Sequence, residues 1–216
     1  MNYDLYRGVL NADLAQNIEP SGPWEIPVIH RTKVVPDTVV PFDKAVSSNK
    51  PDSWIHFFIH DRQFSRLVHD PWRYLPIIAR HAGAISPDFS VFWGYPRYKQ
   101  LESVCRNREF GAWMQRNGIT VIPSVRWGKP NTYDFAFEGI EPGGTVAVGT
   151  AGCMREKKER MVFEEGFGPM LEAVKPKTLI VYGSRRSHVF ADAENAGVRI
   201  VQFDTATADY HAKAVN

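Results

Sequence analysis

Acids, arginines and aromatic rings recur in this sequence at the ends of short apolar runs, and that placement gives them chemical interest. Asp61 follows the run 54–59, Asp88 and Ser90 lie at the end of 83–90, and Arg126 and Trp127 close 120–127. Thr150 ends the run 145–150 and Cys153 follows it, Gly183 to Arg186 follow 178–182, and Asp204 follows 198–203. In parallel α/β folds ligands sit beyond the carboxyl ends of the strands, so acids, bases and rings from separate loops at one rim are how such sites are built. The plainer account is that strand ends turn polar because they meet water.

Asp88 is the leading candidate for acid–base work, with Asp61 second. Pro87 fixes the backbone before Asp88, and Ile85 and Phe89 flank it with apolar bulk. A carboxylate held in that setting is partly desolvated, which raises its pKa. The competing account is a turn or cap aspartate bonding local N–H groups. Arg108 shares an apolar face with Leu101, Val104, Cys105 and Ala112 at helical spacing. An arginine there must snorkel or pair, and Asp88 or Asp61 is the expected partner. Anion binding is the other use of such a side chain.

The order at Gly183, Ser184, Arg185, Arg186 and Ser187 is the clearest ligand-binding signal. An apolar strand runs into glycine, then serine and two arginines, then a serine opening a short helix. Glycine allows close backbone approach, the helix N-terminus offers free N–H groups, and guanidinium groups suit phosphate. Neither G-x-x-x-x-G-K-[ST] nor G-x-G-x-x-G occurs, so this is no standard nucleotide loop. A solvated basic turn is the alternative.

Other residues carry weaker signals. His56 and His60 lie four positions apart on an extended run, ~13 Å, too far for one metal. Two carboxylates, Asp61 and Asp88, would suffice for magnesium, but nothing else marks a metal or names a cofactor. Cys153, after a turn of small residues, is either a nucleophile or a small apolar filler. Phe92, Trp93, Tyr95 and Tyr98 cluster beside Arg97 and Lys99, while Trp127 and Tyr133 flank another loop. Such interleaving either stacks bases and sugars or seals loops onto a core.

The elements that position these residues alternate. Runs near 54, 83, 120, 145, 178 and 198 are almost continuously apolar, as parallel strands covered on both faces are. Segments 63–81, 96–117, 155–174 and 187–196 are long enough for crossover helices, although Gly166, Gly168 and Pro169 interrupt the third. The fold class predicted is α/β with a mainly parallel, barrel-like sheet, an open doubly wound sheet being the alternative. A proline-rich arm at about 1–53, with short strands expected at 26–29 and 37–40, completes one domain over 1–216.

Bulk properties narrow the class. With 216 residues the chain is long enough for a full core without disulfides or metals. Its 26 basic and 24 acidic residues leave a net charge of +2, too small for bulk attraction to nucleic acid or membrane. Two cysteines form no framework, and no apolar run approaches the ~20 residues of a membrane span. The opening MNYDLYRGVLNADLAQ lacks the order of a signal peptide, which points to the cytoplasm.

Several segments together resemble a known family: WIHFFIHDRQF, SPDFSVFWGYP, CRNREFGAWMQRNGITVIPSVRWG, FEGI with VAVGTAGC, and LIVYGS. They resemble an uncharacterised family of phage and bacterial proteins, catalogued as a domain of unknown function (4417 in that series), over roughly residues 40–205. The resemblance implies a phage or mobile-element context and brings no activity or catalytic residues. Two functions follow from the residues. The first is an enzyme or sensor for a phosphorylated small molecule or nucleotide. In it Arg185, Arg186 and Arg126 hold the anion, Asp88 moves protons or holds a metal, and Trp127 packs on the substrate. The second is a non-catalytic accessory protein that binds nucleic acid or a protein partner through loop 92–98 and the basic stretch 155–160.

Overall fold

The structure, a computed structural model, describes residues 9–48, 50–154 and 156–205. A small antiparallel ribbon comes first, β1 (Pro20–Ser21) with β2 (Ile26–Pro27). Two parallel sheets follow. The first holds β3 (Val39–Pro41), β4 (Trp54–His56), β5 (Gly83–Ile85) and β6 (Val121–Ile122), in that order. The second holds β7 (Thr145–Gly149), β8 (Thr178–Tyr182) and β9 (Arg199–Phe203). A single parallel bridge, Ser124 to Ala147, joins them between β6 and β7.

The helices fill the crossovers. They are α1 (Phe42–Ala45), α2 (Asp61–His69), α3 (Pro71–Ile78), α4 (Arg97–Arg116), α5 (Tyr133–Ala136), α6 (Lys157–Val174) and α7 (His188–Asn195). The segment expected as one helix over 63–81 is split. Pro71 disfavours helical backbone at Asp70, whose carboxylate instead caps α3 by accepting from Arg73 N–H. Helix α6 runs through Gly166, Gly168 and Pro169 without a break. The proline-rich arm contributes β1–β3, with Ile29 bridging in parallel to Ile140.

Alternation along the strands explains their apolar runs. Val146 and Val148 of β7, with Leu179 and Val181 of β8, pack outwards against Phe163, Phe167, Met170 and Phe190. Ala147, Ile180 and Tyr182 point the other way and meet Trp54, Ile85 and Ile122 of the first sheet, with Phe58 from the segment after β4. The inner faces of the two sheets therefore converge on one cluster. Parallel strands buried on both faces read as continuous hydrophobic runs. The curl stops short of a closed barrel: β3 pairs only with β4 and β9 only with β8 among the described residues.

Candidate functional site

The carboxyl ends of the strands surround a cleft of about 420 Å³. Phe58, Trp93, Trp127 and Phe163 supply apolar walls, and Asp88, Arg126 and Cys153 supply polar groups. Each arrives from a different element. Asp88 follows β5 through the rigid Ser86-Pro87 step, Arg126 follows β6, and Cys153 lies in the turn after β7. Arg126 grips Asp88 with two nitrogens, its Nε lying 3.3 Å from Oδ1 and its Nη2 bonded to Oδ2. Arg126 Nη1 donates to Cys153 Sγ at 2.7 Å. Burial pushes the Asp88 carboxyl above its ordinary range, and the guanidinium opposes that rise. Burial works against the Arg126 charge, but Asp88 and Cys153 outweigh it and hold the cation firmly protonated.

Asp61 opens α2 and fastens the neighbouring loop. It accepts from Ser90 N–H at 3.2 Å and from Ser90 Oγ at 2.9 Å. His60 stands at the start of the same helix, where its N–H donates to Gln63 Oε1 at 3.1 Å and its carbonyl accepts from Gln63 N–H at 2.7 Å. His56 points instead into the inner cluster, where its ring lies 4.2 Å from that of Tyr182. Phe58 N–H donates to His56 Nδ1, and burial lowers the imidazole pKa to about 3, so the ring is neutral. Trp127 is a wall rather than a flap. It stacks on Phe163 at 5.1 Å and donates its indole N–H to Val162 O.

Arg108 is where the structure corrects the expectation. It is fully enclosed rather than snorkelling, and no carboxylate among the described residues receives it. Its fork reaches Glu138 O at 2.9 Å, Ala136 O at 2.9 Å, Ser124 O at 3.1 Å and the amide oxygen of Asn107. The carbonyls at the end of α5, which have no partner within so short a helix, take the place expected of Asp88 or Asp61. Burial lowers its pKa to about 10, which still leaves it charged at neutral pH.

Sequence reasoning missed the polar hub beside it. Asn107 donates to Pro87 O at 2.7 Å and to Ser124 Oγ at 2.6 Å, while Ser86 Oγ donates to its amide oxygen. Ser124 in turn hydrogen-bonds Asp88 and helps to hold its pKa down. The available signal was an Asn107-Arg108 pair in a helix otherwise apolar on that side. Trp93 was seen only as one ring of a cluster. Its indole nitrogen is buried with no hydrogen-bond partner among the described residues.

A second, larger recess of about 970 Å³ adjoins the first. Ala151 and Gly152 belong to the rims of both. Gly183, Ser184, Arg185, Arg186 and Arg160 line it. Gly183 sits at φ 113°, a conformation open only to glycine, and a Cβ there would meet Thr150 Oγ1 at 2.6 Å. Arg185 is tied to Glu194 at 2.9 Å on the surface. Arg186 makes no ion pair among the described residues, and Arg160 bonds only Met154 O at 3.2 Å. Glu164 accepts from Ser187 Oγ at 2.6 Å, so an internal carboxylate already stands at the start of α7. Arg155, the first residue of the basic stretch 155–160, lies outside the described residues.

Comparison with known proteins adds the lineage. The family described as Domain of unknown function (DUF4417) matches residues 18–204. The chain belongs to this family. Among its relatives is the "Gene 1 protein" of Mycobacterium phage L5, 34% identical over 181 residues, spanning 82% of this chain and 78% of the relative. The "Gene 1 protein" of Mycobacterium phage D29 is also 34% identical, over 185 residues, spanning 82% of this chain and 66% of that protein. No solved structure matches this DUF4417 chain. No described helix is long and apolar enough to cross a membrane.

Proposed function

We propose that this phage-type DUF4417 protein binds a phosphorylated small molecule, a nucleotide above all, at the carboxyl-terminal rim of its parallel sheets. The observation that carries this reading is the adjacency of two recesses across the shared lip Ala151-Gly152. One is walled by aromatic rings and has the size of a nucleoside pocket. The other, also lined by Glu164 and Asp204, gathers Arg160 and Arg186, which make no ion pair among the described residues. A planar group with a phosphate attached has matching halves. Trp93, whose buried indole nitrogen has no hydrogen-bond partner among the described residues, lines the first recess. Asp88 and Arg126 at the floor orient the planar part, and Asp88 is the group able to exchange a proton with it. Asp61 holds the loop that carries Asp88 and Ser90, and Arg108 holds the floor through Ser124 and Asn107.

Thermal stability with inorganic phosphate, adenosine and adenosine monophosphate tests this. A ligand at 100 times its Kd adds ~2.7 kcal/mol of stability. The monophosphate should stabilise the wild type more than either fragment, and R160A/R186A should lose most of that gain while R185A keeps it. An equal gain in the wild type and R160A/R186A would place the anion elsewhere, and no gain with the monophosphate would end the proposal.

A further inference from the structure

Three of the four rings of loop 92–98 stand exposed at the surface. Trp127 and Val91 are buried, whereas Phe92 is 41% exposed, Tyr95 53% and Tyr98 66%. Phe92 and Trp93 line the mouth of the aromatic cleft, with ring centroids 5.5 Å apart. Tyr95 meets Phe92 edge-on at 5.3 Å, and Tyr98 stands in the first turn of α4. A file of rings thus leads from the cleft out onto the surface. Large exposed rings cost free energy in water, so a surface that keeps several in line is shaped for a partner.

Charge selects that partner. Lys129 Nζ lies 4.7 Å from the Trp93 ring centre and Lys99 Nζ 5.6 Å from that of Tyr98. Arg97 lies over Trp24, itself exposed. Arg97, Lys99, Arg106 and Lys129 outnumber the carboxylates paired with them, Asp134 and Glu102. Helix α4 starts after Pro96 with no side-chain cap and no acidic residue in its first turn; Lys99 and Gln100 N–H bond Pro96 O, which leaves the N–H groups of Arg97 and Tyr98 for an anion. Rings that accept flat faces, set among cations that accept phosphates, match single-stranded nucleic acid.

Resting on the nucleotide reading above, we infer that the rim takes its nucleotide from a single strand. One base enters the cleft past Trp93, and its neighbours stack on Tyr95 and Tyr98. A duplex hides its base faces in its own stack and has none to offer these rings.

The experiment uses fluorescence anisotropy with a labelled DNA single strand of about 12 nucleotides, within the ~4–16 nucleotides that such grooves cover. The same sequence as a duplex and free thymidine monophosphate serve as competitors. The wild type should bind the strand at least ~10-fold more tightly than the duplex or the monophosphate, as stacked bases beyond the first require. Y95A/Y98A alters exposed side chains only. It should lose ~10-fold or more in strand affinity while leaving monophosphate binding unchanged. Unchanged strand affinity in the double variant overturns the inference, as does a duplex bound as tightly as the strand. A monophosphate that binds as tightly as the strand overturns it too, and leaves the small-ligand reading standing. Tyrosine-dependent strand binding without measurable monophosphate binding supports the inference and removes the free small molecule as the ligand.

Discussion

Arg126 and Asp88 meet in a two-point ion pair at the floor of the cleft, with the carboxylate almost wholly enclosed. Removing the cation leaves that carboxylate buried and alone. R126A should therefore lose ~3–5 kcal/mol of stability at pH 8. Burial already raises the Asp88 pKa and Arg126 opposes it, so the variant raises it further. The folded variant then binds a proton that the unfolded chain releases, and its stability falls as pH rises. Urea unfolding at pH 5 and pH 8 should show the smaller deficit at pH 5. Equal deficits would mean that water reaches Asp88.

Arg108 serves carbonyl oxygens rather than an acid. R108A should cost about 4 kcal/mol or more, since several enclosed acceptors lose their donor and each is expensive to leave unmade. R108K should recover less than half of that, because one ammonium group cannot span the fork that reaches Ala136, Glu138 and Ser124 together. Chemical denaturation checks both, and a loss under ~1 kcal/mol for R108A would mean that the carbonyls find water.

His56 and Glu109 make opposite demands on pH. The buried His56 titrates at about 3 against an ordinary 6.5, so the unfolded chain takes up the proton first on acidification. Stability contributed by the neutral ring is intact above 6.5 and is lost as pH falls towards 3, by ~4–5 kcal/mol at ~1.4 kcal/mol for each pH unit. H56F should flatten that fall. Burial lifts Glu109 to about 7 from 4.5, with Asp13 adding to the rise and Arg106 opposing it. There the folded chain holds the proton longer, so stability declines between 4.5 and 7. E109Q should stabilise at pH 8, by up to ~3 kcal/mol, and change little at pH 4.

The two glycines inside α6 should respond in opposite ways to alanine. A Cβ on Gly166 would lie 2.3 Å from the Trp127 ring, which is held by its stack on Phe163 and its bond to Val162 O, so G166A should destabilise and shift the tryptophan emission. Nothing lies within 4 Å of a Cβ on Gly168, so G168A should gain about 1 kcal/mol from helix propensity alone. Thermal unfolding of the two single variants decides the matter.

The strand starts were legible because both faces of each parallel strand are buried, which leaves an unbroken apolar run. Their ends were not. The runs 83–90 and 120–127 read as long strands, yet the ladders stop at Ile85 and Ile122. Burial continues past the point where Pro87 and Pro123 have no N–H to offer. Arg108 could be seen to need partners, but backbone carbonyls carry no residue type and so leave no trace in sequence. Asp88 and Arg126 were each placed at the rim by their strand-end positions. Their pairing across 38 residues depends on β5 and β6 lying side by side, a fact of register rather than of local pattern. The exposure of Tyr95 and Tyr98 was likewise undecided, because aromatic residues near a helix start serve packing and stacking equally well.

The seam between the two sheets is narrow. Its backbone link is the bridge of Ser124 to Ala147, made by Val125 N–H on Ala147 O at 2.8 Å and Ala147 N–H on Pro123 O at 2.9 Å, beside the apolar cluster that both sheets share. The cleft lies directly over it, with Arg126 on one bank and Gly149 and Cys153 on the other. Whatever fills the cleft touches both banks at once and acts as a rivet. Its binding energy is then shared with the cohesion of the whole molecule, and amide exchange along β6 and β7 becomes a direct gauge of occupancy.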